Sequence, residues 1–226
     1  MPINTDQYLR LKKQLDDRNV TLVAVSKIQP VQKIMELYKL GHRDFGENYV
    51  QELVDKYEKL PKDIRWHFIG HLQRNKVKYI APFVHLVHGV DSYKLLEEIN
   101  RQAAKAQRTI DCLLQVHIAK EETKFGLSAE ELEALFSVAD NHYRLNQLSH
   151  VTIKGLMGMA SFSDDMQLVR EEFRQLKKIF DQCNRLSPSN QLGVLSLGMS
   201  ADYEIAMEEG STMVRIGSLL FGARVL

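Results

Sequence analysis

Short runs of β-branched and other apolar residues alternate with segments of helical period along almost the whole chain. That alternation limits the fold more than any other feature. Strand-like runs fall at Thr21 to Lys27, Asp44 to Glu47, Arg65 to Ile69, His85 to Val90, Ile110 to Ile118, Val151 to Met159, Leu192 to Leu197 and Met213 to Ile216. Helical segments separate them. Pro30 opens the first of these, in the first-turn position that tolerates its missing N–H, and Gly41 ends it. Others run to about Leu60, from Gln73, from Ser92 to Gln107, from about Asp164 to Leu186 and from Ala201 to Glu209. Ser128 and Glu131 predict a capping box, with Leu127 and Leu132 as its staple, for a helix reaching about Asn141. The segment to Leu186 keeps the 3.6 period through Leu168, Val169, Phe173, Leu176, Ile179, Phe180 and Cys183. An opening helix fits Thr5 to Asp17 with Leu9, Leu11 and Leu15 as its apolar positions, and a last apolar turn falls at Ser218 to Phe221.

Strict alternation implies parallel strands joined by right-handed crossovers. Eight such units of about 25 residues each predict an α/β fold, a (β/α)8 TIM barrel near its lower size limit with an extra N-terminal helix. A doubly wound open sheet is the structural competitor. The expected organisation is a single domain over residues 1–226.

Charge narrows the partners. Lys plus Arg is 30 against 29 for Asp plus Glu, a formal charge of +1, so no global field favours nucleic acid or an anionic membrane and any anion site must be local. No apolar run reaches the length of a membrane span, and the opening residues lack the apolar stretch of a signal peptide. Cys112 and Cys183 form no CxxC motif, which fits reduced thiols in a cytoplasmic protein.

In a barrel the active face lies at the C-terminal ends of the strands. Lys27 ends the first strand with the parity of Val23 and Val25. Such a lysine can be a snorkelling surface cation, or a desolvated amine able to form a Schiff base. Ser196-Leu197-Gly198-Met199-Ser200 follows the seventh strand, and Gly217-Ser218 follows the eighth. Ser200 could be an ordinary cap of a helix opening at Ala201. The loops after strands seven and eight are also the recurrent phosphate site of this fold, where free N–H groups and a hydroxyl gather an anion. Arg215 precedes Gly217 by two residues. A near-buried arginine needs a partner, either a barrel carboxylate or an aromatic nitrogen of a bound cofactor.

Metal chemistry is less well supported. His67 and His71 flank Phe68-Ile69-Gly70, straddling a strand end instead of lying on one helix face, and no HExxH is present. A metal-dependent barrel hydrolase using His67, His71 and Asp91 is the reading that pair would support. Gly217 to Gly222 has the glycine spacing of a P-loop, but Ala223-Arg224 stands where Lys-Ser/Thr is required.

Several of these segments together resemble one family, the small pyridoxal 5′-phosphate (PLP)-binding proteins of cofactor homeostasis, over nearly the whole chain. The motifs are Ala24-Val25-Ser26-Lys27, Phe45-Gly46-Glu47-Asn48-Tyr49 and Trp66-His67-Phe68-Ile69-Gly70-His71-Leu72-Gln73 with Asn75-Lys76. Gly155-Leu156-Met157-Gly158-Met159, Ser196 to Asp202 and Gly210 to Arg224 complete them. The resemblance implies a fold-type III PLP barrel like that of alanine racemase. Lys27 matches the Schiff-base lysine. Ser200, Gly217 and Ser218 match the phosphate contacts, and Arg215 the arginine facing the pyridine nitrogen. Asn48 and His67 match positions lining the pocket, and Met159 and Ser196 are placed at the cofactor with them. His117 stands where asparagine is expected on strand five.

The resemblance also implies a carrier. Fold-type III racemases and decarboxylases add a β-domain and dimerise, and 226 residues leave no room for that domain. An arginine at the pyridine nitrogen keeps the ring unprotonated and weakens the electron sink. No clear second acid/base stands out for the opposite face of the ring. The expectation is a cytoplasmic, monomeric, non-catalytic PLP-binding protein that takes no metal and serves apo PLP-dependent enzymes. A minimal PLP-dependent racemase or lyase is the alternative.

Overall fold

The computed structural model describes residues 3–119, 125–136, 145–186 and 192–222. The predicted end of the helix near Asn141 and the pair Ala223-Arg224 lie outside those residues. The eight strands close into one parallel barrel in sequence order: β1 Thr21–Val25, β2 Asp44–Glu47, β3 Arg65–Phe68, β4 Leu86–Val90, β5 Ile110–Val116, β6 Val151–Gly158, β7 Val194–Ser196 and β8 Met213–Ile216. Closure runs through β1 and β8, with Thr21 opposite Met213 and Ala24 opposite Ile216. An open doubly wound sheet is therefore excluded.

Side-chain parity explains the layers. Val23, Leu86, Leu113, Met157 and Met213 fill the inside of the barrel. Their sequence neighbours Ala24, Val87, Leu114, Leu156 and Val214 face outward into the larger core shared with the helices. The helices are α1 Thr5–Asp16, α2 Val31–Lys39, α3 Val50–Lys59, α4 Val77–Ile80, α5 Tyr93–Lys105, α6 Ala129–Phe136, α7 Met166–Leu186, α8 Tyr203–Glu208 and α9 Ser218–Phe221. Among the described residues no helix is long and apolar enough to cross a membrane. The capping box forms as expected: the Ser128 N–H donates to Glu131 Oε2 at 2.8 Å, and the Glu131 N–H to Ser128 Oγ at 3.2 Å.

Some boundaries differ from the sequence reading. β5 stops at Val116, two residues early, because Leu127 folds back beside it: its N–H reaches Gln115 O, and the His117 N–H reaches Leu127 O. The helix expected from Gln73 is a 3-10 turn at Arg74–Lys76 followed by the single turn of α4. On α1 the buried face is Tyr8, Leu11 and Leu15, one full helical stripe, and Leu9 is exposed. On α7 the apolar face contains Glu172, whose carboxylate accepts from the Ser161 N–H and hydroxyl, both at 2.6 Å. That buried acid ties α7 to the loop leaving β6.

Candidate cofactor site

A cleft of about 460 Å3 opens at the C-terminal ends of the strands, lined by Val25, Lys27, Asn48, Ile69, Met159, Met199, Ser200, Ala201, Arg215, Gly217 and Ser218. Residues from six separate strand ends meet there. Two turns form one side of the cleft. After β7, Gly198 has φ +92, and a Cβ on it would lie 2.9 Å from Tyr203 Cα, so only glycine lets the turn fold against α8. The Gly217 N–H donates to Ser200 Oγ at 3.3 Å and joins this turn to the one after β8. Ser200 therefore does not cap the following helix, which begins later, at Tyr203, with Asp202 in the cap position. The N–H groups of Ser200, Ala201, Ser218 and Leu219 have no acceptor among the described residues. Four open donors and a hydroxyl suit a phosphate or another tetrahedral anion.

Arg215 forms the floor. It is buried, and Nη1 donates to Ser196 Oγ at 2.7 Å and Ser196 O at 2.9 Å, while Nη2 donates to Gly158 O at 3.1 Å. All three acceptors are uncharged. Burial lowers its pKa to about 10, with Asp202 opposing, so the guanidinium stays protonated at neutral pH. Asn48 sits on the opposite wall. A Cβ on Gly70 would lie 2.4 Å from Asn48 O, so the glycine in the His67-Phe68-Ile69-Gly70 motif is what allows the Asn48 backbone to pack there. Asn48 Oδ1 is a buried acceptor with no partner among the described residues, as expected of a side chain set to receive a ligand donor.

Lys27 is held by a buried polar cluster outside the barrel wall. Lys56 Nζ reaches Ser26 O at 2.7 Å, Glu47 Oε1 at 2.8 Å and Glu52 Oε1 at 2.6 Å. Ser26 Oγ donates to Glu47 Oε1 at 2.5 Å, and the Ile28 N–H donates to Glu52 Oε1 at 2.6 Å. The residues on both sides of Lys27 are thus fixed through their backbones. Ile28 adopts φ +62, a strained left-handed conformation for a β-branched residue, which Glu52 helps impose.

Burial pushes the Glu47 carboxyl from 4.5 up to about 7, against the pull of Lys56 and the Ser26 hydroxyl. A folded pKa above the unfolded one means that this group's stabilisation is complete below about 4.5 and is lost as pH rises through about 7. Glu47→Gln is expected to flatten that slope. The wild type should lose up to about 3 kcal/mol relative to the variant across the window, read as urea midpoints. Parallel curves for the two proteins would show that Glu47 does not titrate there.

Of the residues expected at the cofactor, Lys27, Asn48, Met159, Ser200, Arg215, Gly217 and Ser218 line the one cleft. Two others stand behind it. Ser196 is fully buried and faces Arg215, and His67 lies inside the barrel with Nδ1 2.9 Å from His88 Nε2 and Nε2 3.1 Å from Asp44 Oδ1. Parity turned both side chains inward, but their depth places them below the wall. His117 does not line the cleft. His71 is half exposed, stacked on Phe125 at 4.3 Å and 3.1 Å from Asp91, so it is not brought to His67. Among the described residues no group of three metal-ligating side chains forms. Sequence reading missed Lys56, Glu52 and His88. The one signal for the first was a lysine three residues after Leu53 on the buried face of α3.

Fold and cleft together define a barrel of the alanine racemase N-terminal type, and the family model of that description, alanine racemase, N-terminal domain, matches residues 5–225. A pyridoxal phosphate homeostasis protein from Aquifex aeolicus is 43% identical over 204 residues, covering 90% of this chain and 86% of that protein. The human pyridoxal phosphate homeostasis protein is 39% identical over 215 residues, covering 90% and 76%. PipY of Synechococcus elongatus, solved with PLP bound, superposes with a TM-score of 0.86 at 35% identity, covering 96% of this chain and 99% of PipY. The chain belongs to the pyridoxal phosphate homeostasis protein family. Alanine racemase from Bartonella henselae, at 16% identity and a TM-score of 0.69, shares the barrel fold.

Proposed function

We propose that this protein binds PLP in the cleft as a single barrel domain over residues 1–226, and that it takes part in intracellular vitamin B6 homeostasis without turnover of its own. The observation that carries this is convergence: a lysine, two linked turns of open N–H groups and a buried guanidinium face one cleft of suitable size. Relatives of similar length carry the homeostasis name, and PipY holds PLP on the same fold.

When bound, PLP supplies an electrophilic aldehyde, a ring nitrogen and a dianionic phosphate. Lys27 would supply the amine for that aldehyde. Ser200, Gly217 and Ser218 take the phosphate through N–H groups and a hydroxyl. Arg215 would present its charge to the ring nitrogen and disfavour a proton there. Asn48 and Met159 close the sides, while Ser196 and His67 act from behind the cleft. Among the described residues lining the cleft, Lys27 and Arg215 are the ionisable side chains, and no carboxylate, imidazole, thiol or phenol stands with them. A racemase needs a second acid or base on the opposite ring face. The protein is read as a cytoplasmic monomer that yields PLP to apo PLP-dependent enzymes. It is not read as an amino-acid racemase or lyase.

The test is the visible spectrum of purified protein before and after borohydride, combined with assays for amino-acid turnover. A chromophore lost on reduction, with the label on Lys27 and no turnover, is the expected result. Racemisation or C–C cleavage at enzyme-like rates would instead favour the minimal enzyme. Ser200→Ala is expected to keep the covalent link but release PLP faster. Loss of one hydrogen bond to a charged group, about 1.5–3 kcal/mol, corresponds to about 10- to 100-fold in dissociation rate. Stopped-flow transfer of PLP to an apo-enzyme acceptor measures it.

A further inference from the structure

Arg215 closes the floor of the cleft, yet polar side chains continue beneath it through the middle of the barrel. Such positions are usually filled by branched apolar side chains. Here a file of polar groups crosses them. Arg215 Nη1 lies 2.7 Å from Ser196 Oγ, and Ser196 Oγ lies 3.5 Å from His88 Nδ1. His88 Nε2 is 2.9 Å from His67 Nδ1, and His67 Nε2 is 3.1 Å from Asp44 Oδ1. Asp44, at the far rim, accepts from Arg65 through both carboxylate oxygens, at 2.7 and 2.5 Å.

With both imidazoles neutral, the two ends fix the direction of every hydrogen. A guanidinium can only donate, so Ser196 Oγ accepts from Arg215 and has its own proton left to give. An ionised carboxylate can only accept, so His67 Nε2 carries the hydrogen facing Asp44. Neutral His67 then has a bare Nδ1, which accepts from His88 Nε2–H. His88 Nδ1 is bare in turn and accepts from Ser196. Each donor points toward Asp44, and each polar atom in the file has a partner. Bonds aligned head to tail polarise one another, with the positive end at Arg215 and the negative end at Asp44.

We propose that Ser196, His88 and His67 form a one-way hydrogen-bonded chain that orients the Arg215 guanidinium, with Asp44 as its terminal acceptor. The three are positioning residues. The inference rests on the cofactor reading above only where it concerns the ligand ring. The electrostatics agree with it. Burial holds His88 neutral, and the Arg215 guanidinium acts in the same direction. Asp44 is held ionised by hydrogen bonds from Arg65 and His67 that outweigh its burial. The chain also gives the buried arginine a hydrogen-bonded route to a carboxylate, beside the through-space pull of Asp202.

The first test needs no ligand. Long-range proton–nitrogen spectra of 15N-labelled protein at neutral pH should show His67 and His88 both protonated at Nε2 and bare at Nδ1. An Nδ1–H tautomer, or an imidazolium, at either ring overturns the chain. The second test uses Ser196→Ala and His88→Phe. Slowly exchanging Arg215 Nη–H signals, present in the wild type, should be lost in both variants and restored in Ser196→Thr, which keeps the hydroxyl. With ring-15N PLP bound, the pyridine nitrogen resonance should move in Ser196→Ala and return in Ser196→Thr. Ser196→Ala serves as the folded variant if His88→Phe does not fold. An unchanged guanidinium spectrum in folded Ser196→Ala would falsify the positioning role. If labelled PLP fails to bind the wild type, the cofactor reading falls, while the tautomers and guanidinium signals still decide the chain.

Discussion

Lys27→Ala is expected to remove the borohydride-trappable adduct completely while PLP still binds reversibly. The geometry separates the two functions. The amine comes from the end of β1, held through Ser26 and Ile28 by Lys56 and Glu52. The proposed anion site comes from turns across the cleft, joined by the Gly217 N–H to Ser200 Oγ bond. Neither set of contacts passes through the Lys27 side chain. Two or three hydrogen bonds to a charged group, at about 1.5–3 kcal/mol each, leave affinity in the range of about millimolar to micromolar. Intact-protein mass after reduction reads the covalent part, and equilibrium dialysis reads the rest. Pyridoxal, which lacks the phosphate, should bind the variant much more weakly than PLP. Equal binding of the two by Lys27→Ala would mean that the β7 and β8 turns hold no phosphate.

The alternation of periods two and 3.6 carried most of the architecture because each strand faces helices on one side and the barrel interior on the other. Boundaries were less legible where tertiary contacts end an element. Leu127 shortens β5, and nothing local to Ile118 announces it. Leu9 was misplaced because two adjacent leucine spacings both looked apolar, and the stripe that packs runs through Tyr8 instead. Lys27, Ser200, Arg215 and Gly217 could be read as site residues because a barrel gathers its strand ends, so position along the chain stands in for position in space. His67 and Ser196 show the limit of that reasoning. Parity says which side of the wall a residue faces but not how deep it lies. The Lys56–Glu47–Glu52 cluster is harder still, since it joins α3 to two strand ends across the outside of the barrel.

Arg215→Glu is expected to cost stability before it can reveal anything about the ring. On sequence grounds a carboxylate there favours a protonated pyridine nitrogen, at a cost set by how deeply the site is buried. In the structure the guanidinium also satisfies Gly158 O, Ser196 O and Ser196 Oγ, all inside the barrel. A carboxylate there would face two carbonyl oxygens with no proton to offer them. It must either stay charged and unpaired or take up a proton at a raised pKa. Breaking a buried charged group's contacts in this way costs about 3–5 kcal/mol. For a domain of this size that lowers the melting temperature by about 10 °C or more. Arg215→Lys, which keeps the charge and can reach one or two of the same acceptors, should lose about half as much. Thermal unfolding of the ligand-free proteins checks both. If Arg215→Glu melts with the wild type, the guanidinium is not tied to β6 and β7, and its role is confined to the ligand. If it melts far below while Arg215→Lys stays close, the residue proposed to face the ring is also a strut between three strands. Electronic effects on PLP are then best sought in Ser196→Ala, which spares the charge.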